Sequence, residues 1–244
     1  GFGALLPMAD AVLVVKHLVR NVAHEAGLTA TFLPKPIHGE AGSGMHLHQF
    51  VQSGGENLFA GQDALSELAL CYVGGLLAHG RSLMALTNPS TNSYRRLLPG
   101  YEAPVYLVFG AANRTAAVRV PAYARGRSLR IELRTMDATC NPYLAFAAIL
   151  AAGLDGIDRK MPCPAPVNNV NIYEMEAEEL DKLGVRQLPG SLPEALRELA
   201  ADAVLVEALG PEAYDAFHRA KQAEWDSYRV RVMDWEVETY LETA

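Results

Sequence analysis

The sequence predicts an α+β fold, an antiparallel sheet with packed helices, as one domain over residues 1–244. Three observations predict it. The segments "VYLVF" (105–109), "AAVRVP" (116–121) and "SLRIELR" (128–134) alternate polar and apolar residues at period two, the signature of half-buried strands. Stretches on both sides of them carry helical periodicity. No internal repeat and no low-complexity linker divides the chain, and 244 residues are enough for a substantial core.

Taken in order, residues 8–26 read as a helix ended by Gly27, and "TATFLPKP" (29–36) as a short strand closed by two prolines. Residues 61–86 read as one long helix, with Gly74 and Gly75 inside it to allow close packing. The Pro-, Gly- and Asn-rich stretch 88–104 reads as an ordered loop. After the three strands, Asn141 is placed to cap an apolar helix with Pro142 at its first position. Residues 160–190 show no clear periodicity, and the chain is helical again from "SLPEALREL" to its end.

Half the residues are hydrophobic and a fifth charged, ordinary for a water-soluble globular protein. A formal charge of −7 argues against a general nucleic-acid or anionic-membrane binder, so neither is an expected partner. Cys71, Cys140 and Cys163 are odd in number and widely spaced, which suggests neither a disulfide framework nor a zinc site. A reducing, cytoplasmic setting is the expectation. The most apolar run, Tyr143 to Leu154, is too short to span a bilayer.

Chemistry concentrates in the middle of the chain. Period two puts Leu129, Ile131 and Leu133 on one face of their strand and Arg130, Glu132 and Arg134 on the other. An Arg-Glu-Arg front is either a solvated, self-compensating face or part of an anion site. Eight arginines fall between positions 95 and 134 (95, 96, 114, 119, 125, 127, 130 and 134) inside a net-acidic chain. Arginine forks bind phosphate and carboxylate through paired hydrogen bonds, so an anionic substrate belongs here. In "EAGSGMHLHQF" (40–50), a strand would put His46 and His48 on one face, and the preceding glycines fit either close approach to a ligand or a plain turn. Neither a Walker-type GxxxxGK[ST] nor a strand-linked GxGxxG is present.

Three motifs, "TATFLPKP…GSGMHLHQ", "NPSTNSYRRLLPGYEAPVYLVFGAANRTAAVRVP" and "RIELRTMDATCNPYLAFAAILAAGLDGI", come in an order that closely resembles the catalytic domain of type I glutamine synthetases. The resemblance runs over about residues 8 to 160 and continues more weakly to the C-terminus. It implies an ATP-dependent ligase that joins ammonia to glutamate through a γ-glutamyl phosphate, with Mg²⁺ or Mn²⁺. By position it implies metal ligands at His46 and Glu132 and ATP-side contacts at His48, Arg114, Arg119 and Arg130. Substrate contacts fall at Gly42, Arg96, Glu102 and Arg134, with Glu102 as an acid on a flap that shields the intermediate. Glu102, Arg114 and Arg134 are the implied catalytic residues.

Several positions depart from the family pattern. Ala41 stands where Asn is usual and Phe50 where Ser is usual, and Ala112 replaces a frequent basic residue. Ala41 and Phe50 motivate an alternative acceptor, an organic amine in place of ammonia. The family's β-grasp domain and its other metal carboxylates precede the point where this sequence begins. The expectation is therefore a C-terminal portion, inactive on its own, of an enzyme that works as a homo-oligomer; a non-catalytic pseudoenzyme is the remaining alternative. Tyr173 aligns with a tyrosine that some bacterial members have adenylylated.

Overall fold

A computed structural model describes residues 2–62, 64–101, 103–111, 113, 115–168, 172–175, 177–182 and 184–243. In chain order, helix α1 (Leu5–Glu25) leads to strand β1 (Leu47–Gln49) and a small hairpin, β2 (Gln52–Ser53) and β3 (Glu56–Asn57). Helices α2 (Glu67–Ala78), α3 (Gly80–Thr87) and the single turn α4 (Ser93–Arg96) follow. Strands β4 (Tyr106–Ala111), β5 (Ala116–Val120) and β6 (Ile131–Leu133) come next, then the apolar helix α5 (Pro142–Asp158). The remainder is α6 (Ala177–Lys182), β7 (Arg186–Gln187), α7 (Leu192–Ala200), α8 (Ala203–Leu209), α9 (Pro211–Arg229) and α10 (Asp234–Tyr240).

The main sheet has five strands in the order β1-β6-β5-β4-β7. Three of its pairings are antiparallel, as expected, and the β4–β5 pairing is parallel with a register shift between Tyr106 and Phe109. One register matters most: His48 pairs with Glu132 and Glu132 with Arg119, so three polar side chains form a row across β1, β6 and β5. The opposite face of β6, Ile131 and Leu133, is buried in the main apolar core with Val118, Leu76, Phe146 and Ile149.

Helices α2 and α5 pack through small residues. A Cβ built on Gly75 would stand 2.1 Å from the Ala152 carbonyl oxygen, and one on Gly156 2.6 Å from the Gly75 nitrogen. The close packing expected at Gly75 is present, and it brings backbone against backbone. Ser66 caps α2 by accepting from the Ala69 N–H at 3.1 Å, and Asn141 caps α5 by accepting from the Tyr143 N–H at 3.0 Å.

The predicted helix over 61–86 is a correction. It begins at Glu67 and breaks at His79, where α2 and α3 are bent by 72°. His79 is buried, with Nε2 2.9 Å from Asp155 of α5 and Nδ1 2.7 Å from Asp202, the cap of α8. Both ring nitrogens face carboxylates, so both carry protons and the ring is an imidazolium. Asp155 also meets Arg159 at 3.4 Å. The hydrogen bond to Asp202 raises the His79 pKa, burial opposes it, and the bond to Asp155 raises it further.

Other expectations also shift. Residues 29–36 form no strand, and 88–104 contains the α4 turn. The 128–134 strand shortens to Ile131–Leu133 because the carbonyls of Arg127 and Leu129 accept from Asn57 Nδ2 on β3, at 3.1 and 2.6 Å. Among the described residues no single helix is long and apolar enough to cross a membrane.

Two stability predictions follow from this packing. Gly75→Ala must push α2 off α5 and should lower the unfolding free energy by roughly 2 kcal/mol; an unchanged urea midpoint would contradict the contact. The raised His79 pKa means that its contribution is complete below about pH 6.5 and fades as pH rises through the folded value. The fall in stability from about pH 6 to pH 10 should therefore be steeper in the wild type than in His79→Asn, and parallel profiles would refute the imidazolium assignment.

Candidate active site

Glu132 sits at the middle of the polar row and is 1% exposed. Its Oε2 accepts from Arg119 Nε at 2.8 Å and lies 2.7 Å from a terminal nitrogen of the same guanidinium, a two-pronged contact across β5 and β6. Its Oε1 lies 2.8 Å from His46 Nδ1 and 3.7 Å from Arg134 Nε. Burial pushes the Glu132 carboxyl up, but the bonds from His46 and Arg119 outweigh it and hold the pKa down to about 2. The solvated-face reading of the Arg-Glu-Arg strand is thereby excluded. Arg130 and Arg134 are buried as well.

The two histidines are placed differently. His46 lies one residue before β1, and its Nδ1 faces a carboxylate, so that nitrogen carries the proton. The His46 side chain is 35% exposed and lines a cavity of about 410 Å³ with Tyr123, Arg130 and Met136. On β1 itself, His48 accepts at Nδ1 from Arg130 Nε at 3.3 Å. An arginine can only donate, so the His48 proton is on Nε2. Burial lowers the His48 pKa, partly opposed by Glu132 and reinforced by Arg130; the ring is neutral.

Arg130 is further held between two aromatic faces, its guanidinium carbon 4.9 Å from the Tyr123 ring centroid and 5.4 Å from that of Phe2. Phe2 in turn packs edge-on against Phe50 at 5.5 Å. Tyr123 and Phe2 were not singled out from sequence. Tyr123 stands two residues before Arg125 in "AYARGR", and an aromatic beside clustered arginines was the available signal.

The small residues of "GSG" have a specific neighbour. A Cβ on Gly42 would meet Arg96 Cγ at 2.9 Å, and one on Gly44 would meet an Arg96 terminal nitrogen at 2.3 Å. The turn is therefore small so that the Arg96 side chain can pass beneath it. Arg96 donates to the carbonyls of Thr135 at 2.9 Å, Met136 at 3.2 Å and Arg134 at 3.2 Å. Burial lowers its pKa, with Asp137 opposing. Arg96 thus ties the chain after β6 to the turn before β1. Met45 N–H completes that tie to the Met136 carbonyl at 3.0 Å.

The structure brings together His46, His48, Arg119, Arg130, Glu132 and Arg134, and sets Gly42 against Arg96 a short way along the same surface. Glu102, Arg114 and Ala112 lie outside the described residues. Tyr173 is partly buried and donates its hydroxyl to the Ala103 carbonyl. Among the described residues no three His, Cys, Asp or Glu side chains converge as a metal site. His46 and Glu132 are a nitrogen–oxygen donor pair suited to a divalent cation, yet they are at most half of a coordination shell.

A buried carboxylate under arginines stands on a mixed sheet backed by helices, and the chain that carries it belongs to a known family. It belongs to the glutamine synthetase family: the family profile "Glutamine synthetase, catalytic domain" matches residues 1–240. A glutamine synthetase of Methanocaldococcus jannaschii is 50% identical over 244 residues, covering 98% of this chain and 53% of the relative. One from Thermus thermophilus is 50% identical over 241 residues, covering 98% and 54%. A solved structure described as a GmaS/ADP complex superposes with a TM-score of 0.89 at 38% identity, covering 99% of this chain and 56% of that one. The chain spans about half the length of the curated relatives it matches.

The depressed Glu132 pKa fixes a sign for acid stability. Its contribution is complete above about pH 4.3 and is lost as pH falls through about 2. Glu132→Gln should cost roughly 2 kcal/mol at neutral pH and flatten the acid limb of the stability profile. An acid limb of the same slope in both proteins would contradict the ionised assignment.

Proposed function

We propose that this chain forms part of the active site of an ATP-dependent ligase making glutamine from glutamate and ammonia. The observation that carries the proposal is the ionised Glu132, held between His46 and Arg119 in a chain of this family. In the first step a γ-carboxylate oxygen of glutamate attacks the terminal phosphorus of ATP, and ADP leaves. In the second, ammonia attacks the acyl phosphate carbonyl, phosphate departs, and the ammonium proton passes to a base. The first step builds up negative charge on phosphoryl oxygens and the second on the acyl oxygen and the departing phosphate, so positioning and charge neutralisation are the main demands on the protein.

The residues divide by their neighbours. His48 and Arg130, with the Tyr123 and Phe2 rings, form an ATP-side wall; Arg119 supplies positive charge beside it, and Arg114 joins them by sequence position. His46 and Glu132 would hold a Mg²⁺ or Mn²⁺ ion, which when bound shares the phosphate charge. Arg134 and the Gly42 turn face the glutamate side, with Glu102 as the flap acid. Arg96 is buried against three carbonyls and acts there by setting that turn; contact with a substrate carboxylate would have to exchange one of those bonds. The remaining cation ligands come from outside this chain's described residues, and the protein works as a homo-oligomer.

A second reading, an organic amine as acceptor, draws on the GmaS likeness and on Ala41 and Phe50. The identity of about 50% to proteins named glutamine synthetase, against 38% to GmaS, favours ammonia. The decisive assay follows phosphate release from ATP and glutamate by the complete protein carrying this chain, with ammonium or with methylamine and longer alkylamines. Ammonium should give a kcat/KM at least about tenfold above every amine, and Arg119→Ala should lower it on the order of 100-fold. A preferred alkylamine would replace the first reading by the second, and no activity with any acceptor would remove both.

A further inference from the structure

On the side of the sheet away from Glu132 there is a second cavity, of about 710 Å³. Val120 follows Arg119 on β5 and points the opposite way, into this space. Its walls are mostly apolar: Leu65 and Leu70 near the start of α2, Phe109 of β4, Leu129 and Pro164. Among the described lining residues, polar groups enter at Gln62, Arg125 and Asn168, and Arg125 is the charged one; it is exposed.

The walls are fixed. Val167 N–H donates to the Phe109 carbonyl at 2.8 Å, and Asn168 Oδ1 accepts from the Ala111 N–H at 2.6 Å. Pro164 and Pro166 restrict the segment between α5 and those bonds. A preformed pocket of this volume, apolar with few polar groups, has the dimensions of a small-molecule site rather than of a groove for a helix or strand. Among the described residues it shares no lining residue with the cavity at His46. The two are separated by the β5–β6 connection, which turns Tyr123 and Arg130 toward His46 and Ala124, Arg125 and Leu129 toward the rear.

We propose that this rear cavity is a binding site for a small organic acid, its compact apolar body lying on Phe109, Val120 and Leu129 and its carboxylate meeting Arg125. The charge assignment rests on sign: a cation at the mouth of an apolar pocket, on a protein of formal charge −7, selects an anion there over a cation. The site does not depend on which acceptor the ligase uses.

4-Phenylbutyrate is the probe, titrated calorimetrically into the protein. The expected result is saturable binding at one site. The neutral amide 4-phenylbutyramide, and the acid with Arg125→Ala, should each bind about fivefold more weakly, the range for one exposed charge contact. Ala64→Trp and Ala165→Trp each place an indole in the cavity from an exposed position, so both should fold with unchanged melting temperature and lose binding. Binding that survives both tryptophan variants would put the acid elsewhere, for instance on the exposed apolar side of α1, and would overturn the proposal. So would no binding to the wild type up to about 10 mM, beyond what a site of this size should need. Equal affinity for acid and amide would overturn the carboxylate assignment.

Discussion

A carboxylate removed from water between two strands must either take up a proton or be surrounded by positive groups, and Glu132 does the second. Arg119 approaches from β5, Arg134 from its own strand and His46 from the entry to β1. This one arrangement ties three separate parts of the chain to a single point. The register of the sheet follows from it. A slip of one residue would turn Glu132 into the apolar core and Ile131 or Leu133 out of it. The same row leaves the His46 side chain 35% exposed, with Arg130 set against His48 beside it.

The helices behind the sheet are arranged to keep that row still. Glycine contacts let α2 and α5 approach until their backbones touch, giving the sheet a dense backing. The imidazolium of His79 pins the α2–α3 corner to α5 and α8 through two buried carboxylates. From that corner α3 runs to Asn88, whose amide donates at 2.8 Å to the Thr135 carbonyl, one of those that also receive Arg96. Apolar packing and a few buried charges thus converge on the segment immediately after Glu132.

Much of the site was legible in the sequence because it is local. The alternation in "SLRIELR" puts Glu132 opposite the apolar residues whatever the remainder of the chain does, and the arginine cluster marks the same region. Ordered motifs supplied the family. What sequence did not disclose depends on distant partners. The helix break at His79 is set by Asp155 and Asp202, 76 and 123 residues away, so helical periodicity runs straight through it. The small residues at Gly42 and Gly44 fit either a ligand approach or a plain turn in sequence, and only the fold sets Arg96 beneath them. The run 29–36 has strand-like residues but forms no ladder.

Glu132 is ionised inside the fold because His46 and Arg119 hold it so. The most direct measurement is a carbon-13 NMR titration of the Glu132 side-chain carboxyl, assigned by comparison with Glu132→Gln. The carboxyl should keep its ionised shift down to acid pH and titrate near 2. A midpoint at about 4.3, the value of a free glutamate side chain, would mean that the cationic row does not act on it.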